Sequence, residues 1–313
     1  MSIWILLVVV AQFISAIVAV VDKYIVTSRV VSRPVTYAFY VSILSAFSAI
    51  VFLFSWIKIP FEGISIPSVQ NVTHPDDTVV LLSLIAGFAF FGALVSLFTG
   101  LKRADTSDVI PVVGATSAVS SLLLGFYFLK TSLTTNFVWG FALLVLGTFF
   151  ISLFRFKTKT LIVSLISGML FALHFVCLKI LFGYTGFDNA FFWSRMGIVI
   201  PALLAFVIPW IHIHPKKMVI GAEIPRKNAV WIILGNKFMA GVAGLLILKG
   251  IELGDVIIVQ ALGGLQFVFL LLFAVLTGKS LPQACGEKCS KYDVWQKTIS
   301  VGIITIGFLV LFL

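Results

Sequence analysis

The sequence predicts an all-α integral membrane protein whose ten transmembrane helices form two inverted five-helix repeats. First, 60% of the 313 residues are hydrophobic and 11% are charged, whereas globular domains carry about 25% charged residues. Second, the apolar residues occur in blocks of about twenty, the length that a helix needs to cross about 30 Å of hydrocarbon. Third, the two halves of the chain resemble one another. A mean hydropathy of +1.15 agrees with this class.

Other classes fit the composition poorly. A transmembrane β-barrel would alternate apolar and polar residues over about ten positions, and no such alternation dominates here. The formal charge of +10 could suggest a nucleic-acid partner. The basic residues are instead dispersed among short connections, as expected for charges that set membrane orientation. The first apolar block lacks the positive leading region of a signal peptide, so we expect a retained helix.

Ten predicted spans divide the chain into two sets of five. The first set is Ile3 to Val21, Val35 to Trp56, Val79 to Gly100, Val109 to Leu129 and Phe137 to Phe154. The second set is Leu161 to Phe182, Ala190 to Trp210, Ala229 to Leu248, Val256 to Thr277 and Ile299 to Leu313. We therefore expect one repeat over residues 1–154, a basic linker over 155–159 and a second repeat over 160–313. The longer connections are too short to hold separate folded domains.

Two sequence echoes indicate the internal repeat. LKRADTSDVI at 101–110 matches LKGIELGDVI at 248–257 in the leucine, the lysine and DVI, at an offset of 147 residues. More weakly, Lys23 and Lys179 close corresponding helices. Five spans are an odd number, so the second repeat would enter the bilayer upside down relative to the first. Chance similarity between apolar segments is the alternative.

The basic residues also predict an orientation. Sixteen of the 22 lysines and arginines lie in loops after odd-numbered spans. By the positive-inside rule, that side is cytoplasmic and both termini lie outside. The sequon at Asn71 would lie outside, and Cys285 and Cys289, expected to be free thiols, would lie in the cytoplasm. Neither feature decides the orientation.

Polar side chains near mid-span are the candidate binding residues. A charge at the bilayer centre costs about 2.5–3.5 kcal/mol on insertion scales, so such groups usually face a cavity. The predicted substrate-binding residues are Gln12, Ser15, Thr116, Ser117, His174, Asn236, Lys237 and Gln266. Lys237 is the sharpest candidate, because a mid-span lysine needs a partner, a hydrated cavity or an anionic ligand.

Each candidate also has a structural interpretation. Lys237 could reach an interface, or bond to carbonyl groups at a helix break near Gly235. His174 could exchange protons or could simply make a hydrogen bond between helices. The serines and threonine of the fourth span could permit close helix packing. Arg195, near the start of the seventh span, is expected to anchor at the headgroups.

The acidic residues predict no membrane-embedded carboxylate. All twelve are placed in loops or at span ends, which disfavours carboxylate-based proton antiport. Asp108 and Asp255 are expected to cap the fourth and ninth helices. No nucleophile, paired acid or metal-ligand set is evident, and His212 and His214 lack suitable partners. We expect no enzyme activity, no cofactor and no metal.

Several segments carry a family resemblance. They are GLKRADTSDVIPVVGATSAV, WGFALLVLGTFFI, ILKGIELGDVIIVQALGGLQFVF and VGIITIGFLVLF. In order and spacing they resemble the EamA-like ten-helix permeases of the drug/metabolite transporter superfamily. The resemblance implies a central cavity lined by the first to fourth and sixth to ninth helices. It also implies cytoplasmic termini, opposite to the lysine and arginine count, which we follow.

The resulting hypothesis is a secondary carrier of a small organic solute, working by alternating access in a plasma membrane, the bacterial inner membrane in particular. Lys237 without a buried acid favours an anionic or zwitterionic solute such as an amino acid. One alternative is translocation of a lipid-linked substrate, which predicts a lateral opening between helices. Another is a non-transporting structural or assembly subunit, which predicts a sealed core. The direction of transport and the choice between monomer and homodimer stay open.

Overall fold

The computed structural model describes residues 3–27, 33–56, 66–104, 106–129, 135–150, 157–207, 226–276 and 291–312. Regular structure in these ranges is entirely helical. The α-helices are α1 (Ile3–Thr27), α2 (Pro34–Ala46), α3 (Asp77–Arg103), α4 (Thr106–Phe128), α5 (Thr135–Phe150), α6 (Thr158–Thr185), α7 (Phe187–Val207), α8 (Arg226–Leu253), α9 (Val256–Ala261), α10 (Leu265–Leu276) and α11 (Lys291–Phe312). Short 3-10 helices extend α2 over Phe47–Phe54, form Val69–Asn71, and join α9 to α10 over Leu262–Gly264.

The described helices confirm an all-helical, multi-pass membrane protein. Seven of them are long and apolar enough to cross a membrane, namely α1, α2 with its extension, α3, α4, α6, α7 and α8. Shorter apolar stretches at Val138–Phe150, Val256–Leu270 and Thr298–Gly307 coincide with the fifth, ninth and tenth predicted spans. Predictions for His212, His214, Cys285 and Cys289 fall outside the described residues.

Helix boundaries differ from the sequence prediction in ways that matter for the site. Helix α1 continues to Thr27 instead of ending at Val21, and α8 runs without a break through Gly235. The ninth predicted span is divided at Leu262–Gly264. Asp255 caps α9, as predicted, by accepting a hydrogen bond from the Ile257 backbone N–H at 2.7 Å. Asp108 lies within the first turn of α4.

Two lysines bind carbonyl groups at the ends of neighbouring helices. Lys23 Nζ donates to the carbonyl oxygens of Leu101 at 2.7 Å and Ala104 at 2.6 Å, at the end of α3. At the end of α8, Lys179 Nζ donates to three carbonyl oxygens, those of Ile251, Glu252 and Gly254. Each ammonium group satisfies carbonyls that the helix leaves unpaired, and it complements the helix dipole.

These lysines mark two opposite faces of the bundle, here called the Lys23 face and the Lys179 face. Helices α1 and α3 end at the first, and α6 and α8 end at the second. The faces are opposite because Tyr184, at the end of α6, donates a hydrogen bond to Asp76, which caps the start of α3. The Asp76 carboxylate is therefore on the Lys179 face, and the hydrogen bond from Tyr184 lowers its pKa.

Helices from the first half of the chain pack against helices from the second half. Helix α3 packs against α6 and α7, α4 against α6, α1 against α8, and α5 against α11. Glycines allow the closest contact: a Cβ at Gly87 would overlap the backbone of Gly197, and a Cβ at Gly197 would overlap the Ser83 carbonyl. Small residues allow membrane helices to approach at backbone distance. This contact fixes α3 against α7.

Replacing Gly197 by alanine should lower the thermal stability of the purified protein, because the new Cβ would push α3 and α7 apart. Overpacking of this kind costs about 1–3 kcal/mol. Gly183→Ala is the matched control, since no heavy atom lies within 4 Å of a Cβ built there. Thermal unfolding in detergent, followed by tryptophan fluorescence, measures both variants. An unchanged midpoint for Gly197→Ala would contradict the close contact.

Candidate functional site

A buried carboxylate collects three hydrogen bonds inside the bundle. Asp22 Oδ1 accepts from Lys237 Nζ, Asn236 Nδ2 and the Tyr37 hydroxyl, each at 2.6 Å. The side chains of Lys237 and Asp22 are only 6% and 10% exposed. We call Asp22, Tyr37, Asn236 and Lys237 the Asp22 cluster.

The Asp22 cluster joins the two halves of the chain near the Lys23 face. Asp22 lies on α1 and Tyr37 on α2, whereas Asn236 and Lys237 lie on α8. At 1.5 Å per residue, Asp22 is about 8 Å from the end of α1. The ammonium group of Lys237 also lies 4.7 Å from the centre of the Tyr37 ring and 5.7 Å from that of Phe98 on α3. Cation–π contacts add to the attraction of the carboxylate.

This arrangement corrects two predictions. The expectation that no carboxylate lies within the membrane bundle was wrong for Asp22, because α1 extends beyond Val21 and Asp22 is 7% exposed. The helix break proposed near Gly235 is also wrong, since α8 is continuous there. Of the environments considered for Lys237, the structure supplies the partner: its charge is compensated by Asp22. The argument from an uncompensated Lys237 to an anionic solute therefore loses its basis.

The other candidates of the first half lie in separate contacts. On α1, Gln12 is buried, and the Ser15 carbonyl accepts a hydrogen bond from Gln266 Nε2 at 3.0 Å. On α4, the Ser117 hydroxyl donates to Gln260 Oε1 at 2.9 Å. Thr116 is buried where α4 meets Gly168 of α6. These residues hold α1 against α10, α4 against α9 and α4 against α6. The eight predicted residues thus do not form a single cluster.

His174 makes a hydrogen bond between helices. Its Nδ1 lies 2.8 Å from the Ala86 carbonyl oxygen on α3. A carbonyl can only accept, so Nδ1 carries the proton of this bond. The ring lies 4.8 Å from that of Phe90 and 5.1 Å from that of Phe175. This environment matches the structural interpretation of His174.

Arg195 is the position where the structure departs most from the sequence prediction. Its side chain was expected to reach the headgroups, yet Arg195 is 8% exposed. Its guanidinium carbon lies 5.2 Å from the centre of the Phe191 ring. Among the described residues, no carboxylate forms an ion pair with Arg195, and its Nε has no hydrogen-bond partner.

Sequence reasoning missed Asp22 and Tyr37, and it assigned Arg195 an anchoring role. Asp22 follows the apolar run directly, so a span ended at Val21 places it in a loop. Tyr37 reads as one aromatic among many in an apolar helix. Charge balance is the signal that could have found Asp22, because the buried Lys237 required an acid from a neighbouring helix.

On the Lys179 face, the segment before α3 is fastened to the start of α7. Asp188 Oδ2 accepts from the Ser68 backbone N–H at 3.0 Å and from Asn71 Nδ2 at 2.7 Å. Trp193 Nε1 donates to the Thr73 carbonyl oxygen at 3.0 Å. The amide of the Asn71 sequon therefore already has a partner. Within the described residues, no group of three or more His, Cys, Asp or Glu side chains could hold a metal ion.

Comparison with known proteins found a family model that matches the first half of the chain. Residues 2–153 match the model of the EamA-like transporter family, the family that the sequence resembles. The comparison with curated proteins found no match.

Solved structures share the fold. Twenty-nine chains of solved structures match. One, titled only "Crystal structure of protein", aligns with 96% of this chain and 95% of its own, at 16% identity and a TM-score of 0.61. At this identity the likeness shows the fold alone.

Removing the Asp22 charge should destabilise the protein strongly. In Asp22→Asn, Lys237 would lose its counter-charge, and breaking a buried ion pair by removing one partner costs about 3–5 kcal/mol. The double variant Asp22→Asn with Lys237→Met removes both charges and should recover much of that loss. Thermal unfolding in detergent measures both, with the exposed Asp77→Asn as control. Equal midpoints for the single and double variants would contradict a coupled pair.

Proposed function

We propose that this protein is a secondary carrier of a small organic solute that works by alternating access. The Asp22 cluster carries the proposal, because it is a buried polar contact between the halves of the chain, in a bundle whose first half matches the model of a transporter family. In a carrier of this type the halves rock against each other around a site near the bilayer midplane. A few directional polar bonds are better suited than a large apolar interface to a contact that must open and close.

The proposed architecture is ten transmembrane helices in two inverted repeats, 1–154 and 160–313, joined at 155–159. The seven long helices and three shorter apolar stretches give ten apolar segments among the described residues. The lysine contacts support the repeat. Lys23 binds the carbonyl of Ala104 and Lys179 binds that of Ile251, and these two acceptors are 147 residues apart, the offset found in the sequence. The two contacts lie on opposite faces, as inversion requires.

The Asp22 cluster serves as the gate on the Lys23 face in this proposal. Its three hydrogen bonds tie α1 and α2 to α8. When they part, Lys237 and Asp22 become available to water and to solute. A solute with both an ammonium and a carboxylate group could exchange with this pair without leaving either charge unmatched. This argument, rather than an unpaired Lys237, supports a zwitterionic solute such as an amino acid.

Reconstitution tests the carrier. Metabolite profiles of cells with and without the protein select the solutes, whose uptake is then measured in proteoliposomes. Lys237→Gln should lower uptake by about tenfold, equivalent to about 1.4 kcal/mol, because the gate loses its ion pair. Lys159→Gln, at an exposed lysine in the first turn of α6, is the control.

Two results would count against this function. Wild-type vesicles that take up none of the selected solutes would contradict a carrier. Uptake by Lys237→Gln equal to that of the wild type would contradict the gate alone. The exchanged pair Asp22→Lys with Lys237→Asp separates the loss of the ion pair from the loss of one charge, since it retains opposite charges and should exceed Lys237→Gln in uptake.

We also propose the plasma membrane, the bacterial inner membrane in particular, with the Lys23 face in the cytoplasm and both termini outside. The basic residues that follow odd-numbered spans support this orientation.

An epitope tag at either terminus should accordingly be cleaved by protease added to intact spheroplasts. A cytoplasmic reporter protein must stay intact as the control. Tags cut only after lysis would contradict the orientation and would agree with the EamA-like resemblance instead.

A further inference from the structure

We infer that Arg195 binds the carboxylate group of the transported solute. This inference rests on the proposed carrier function and names the side chain that recognises one end of the solute. Arg195 is distinct from the Asp22 cluster, in which Lys237 is already paired with Asp22.

The first argument is the cost of the charge. Arg195 is 8% exposed in α7, while the same helix leaves Ile200, Leu203 and Leu204 exposed, as expected of a surface in contact with lipid. An arginine kept inside a membrane bundle faces a cavity or a partner. At 1.5 Å per residue it lies about 12 Å from the start of α7, too deep for simple anchoring at a helix end.

The second argument is the missing partner. Buried polar groups are almost always hydrogen-bonded, so an orphan group needs an explanation. Arg195 Nε is an orphan, and no anion within the described residues compensates its charge. By contrast, the other membrane-embedded basic side chains that close the bundle have partners: Lys23 and Lys179 bind carbonyl oxygens, and Lys237 binds Asp22.

The third argument is that the helices packed against α7 also carry buried polar atoms without partners. Helices α2, α3 and α7 pack against one another, and each carries a buried polar atom without a partner: Ser42 Oγ, Ser83 Oγ and Arg195 Nε. Three such atoms on helices that pack together make this part of the bundle unusually polar for buried residues, and within the described residues no acid pairs with Arg195.

The geometry also holds the guanidinium in place. Its cation–π contact with Phe191 restrains the side chain, and Phe191 in turn contacts Phe52 and Phe187. A planar guanidinium binds a carboxylate through two parallel hydrogen bonds, and a restrained side chain loses less entropy on binding. The aromatic rings around it would contact an apolar part of the solute.

The experiment compares matched solutes with and without a carboxylate. The probes are glycine with glycinamide, leucine with leucinamide, and phenylalanine with phenylalaninamide, together with succinate and phosphoethanolamine. Uptake into proteoliposomes and the shift in thermal midpoint are measured for the wild type, Arg195→Lys and Arg195→Gln. Arg103→Gln, at an exposed arginine at the end of α3, is the control.

We expect the wild type to prefer at least one carboxylate over its amide by about tenfold, which corresponds to about 1.4 kcal/mol. Arg195→Gln should reduce that ratio to about one, Arg195→Lys should retain part of it, and Arg103→Gln should leave it unchanged. A purely structural Arg195 would lower the thermal midpoint of Arg195→Gln without changing the ratio, and that result would overturn the inference.

Failure of the inference can be told apart from failure of the carrier. Uptake of amides equal to that of acids, or an Arg195-dependent preference for phosphoethanolamine alone, would overturn carboxylate recognition and leave the carrier in place. Absence of uptake for these probes and for the solutes selected by metabolite profiling would contradict both.

Discussion

The Asp22 carboxylate determines how the two halves of this bundle meet on one side. One oxygen of this carboxylate accepts hydrogen bonds from an ammonium, an amide and a phenol group on two other helices. In hydrocarbon an isolated carboxylate or ammonium would be prohibitively costly, so each charge makes the other tolerable. Such a pair need not raise stability above that of an apolar contact. Its distinctive property is direction, because the bonds exist only when α1, α2 and α8 stand in one relative position.

In the proposed repeat, corresponding positions of the two halves carry different side-chain chemistry. At the repeat offset of 147 residues, the position of Lys237 is taken by Phe90. Phe90 packs on His174, which binds a backbone carbonyl of α3. In this pairing, Lys237 in the second half forms an ion pair between helices where the first half has an aromatic contact near the middle of α3. Similar backbones with different side chains would give the two halves different sensitivity to charge in the solute.

Much of the fold follows from apolar block length and charge distribution, because the bilayer imposes both. The multi-pass helical class and the Asp255 cap could be predicted from the sequence, whereas the carbonyl partners of Lys23 and Lys179 could not. The site could not, since it depends on where helices end and on which neighbours they meet. Ending α1 at Val21 removed Asp22 from consideration, and Arg195 reads as an anchor until the packing of α2, α3 and α7 is known.

The backbone contact between Gly87 and Gly197 sits near the middle of α3 and joins helices from opposite halves of the chain. Side chains are absent there, so the two backbones touch with nothing compressible between them. If the halves rock, this point moves least, and displacement grows with distance from it. The Asp22 cluster lies toward one face, at a distance from this contact, so its displacement would be larger. Rotation about this contact would lengthen the hydrogen bonds of the cluster, so a methyl group added at Gly197 would affect the proposed gate without contacting it.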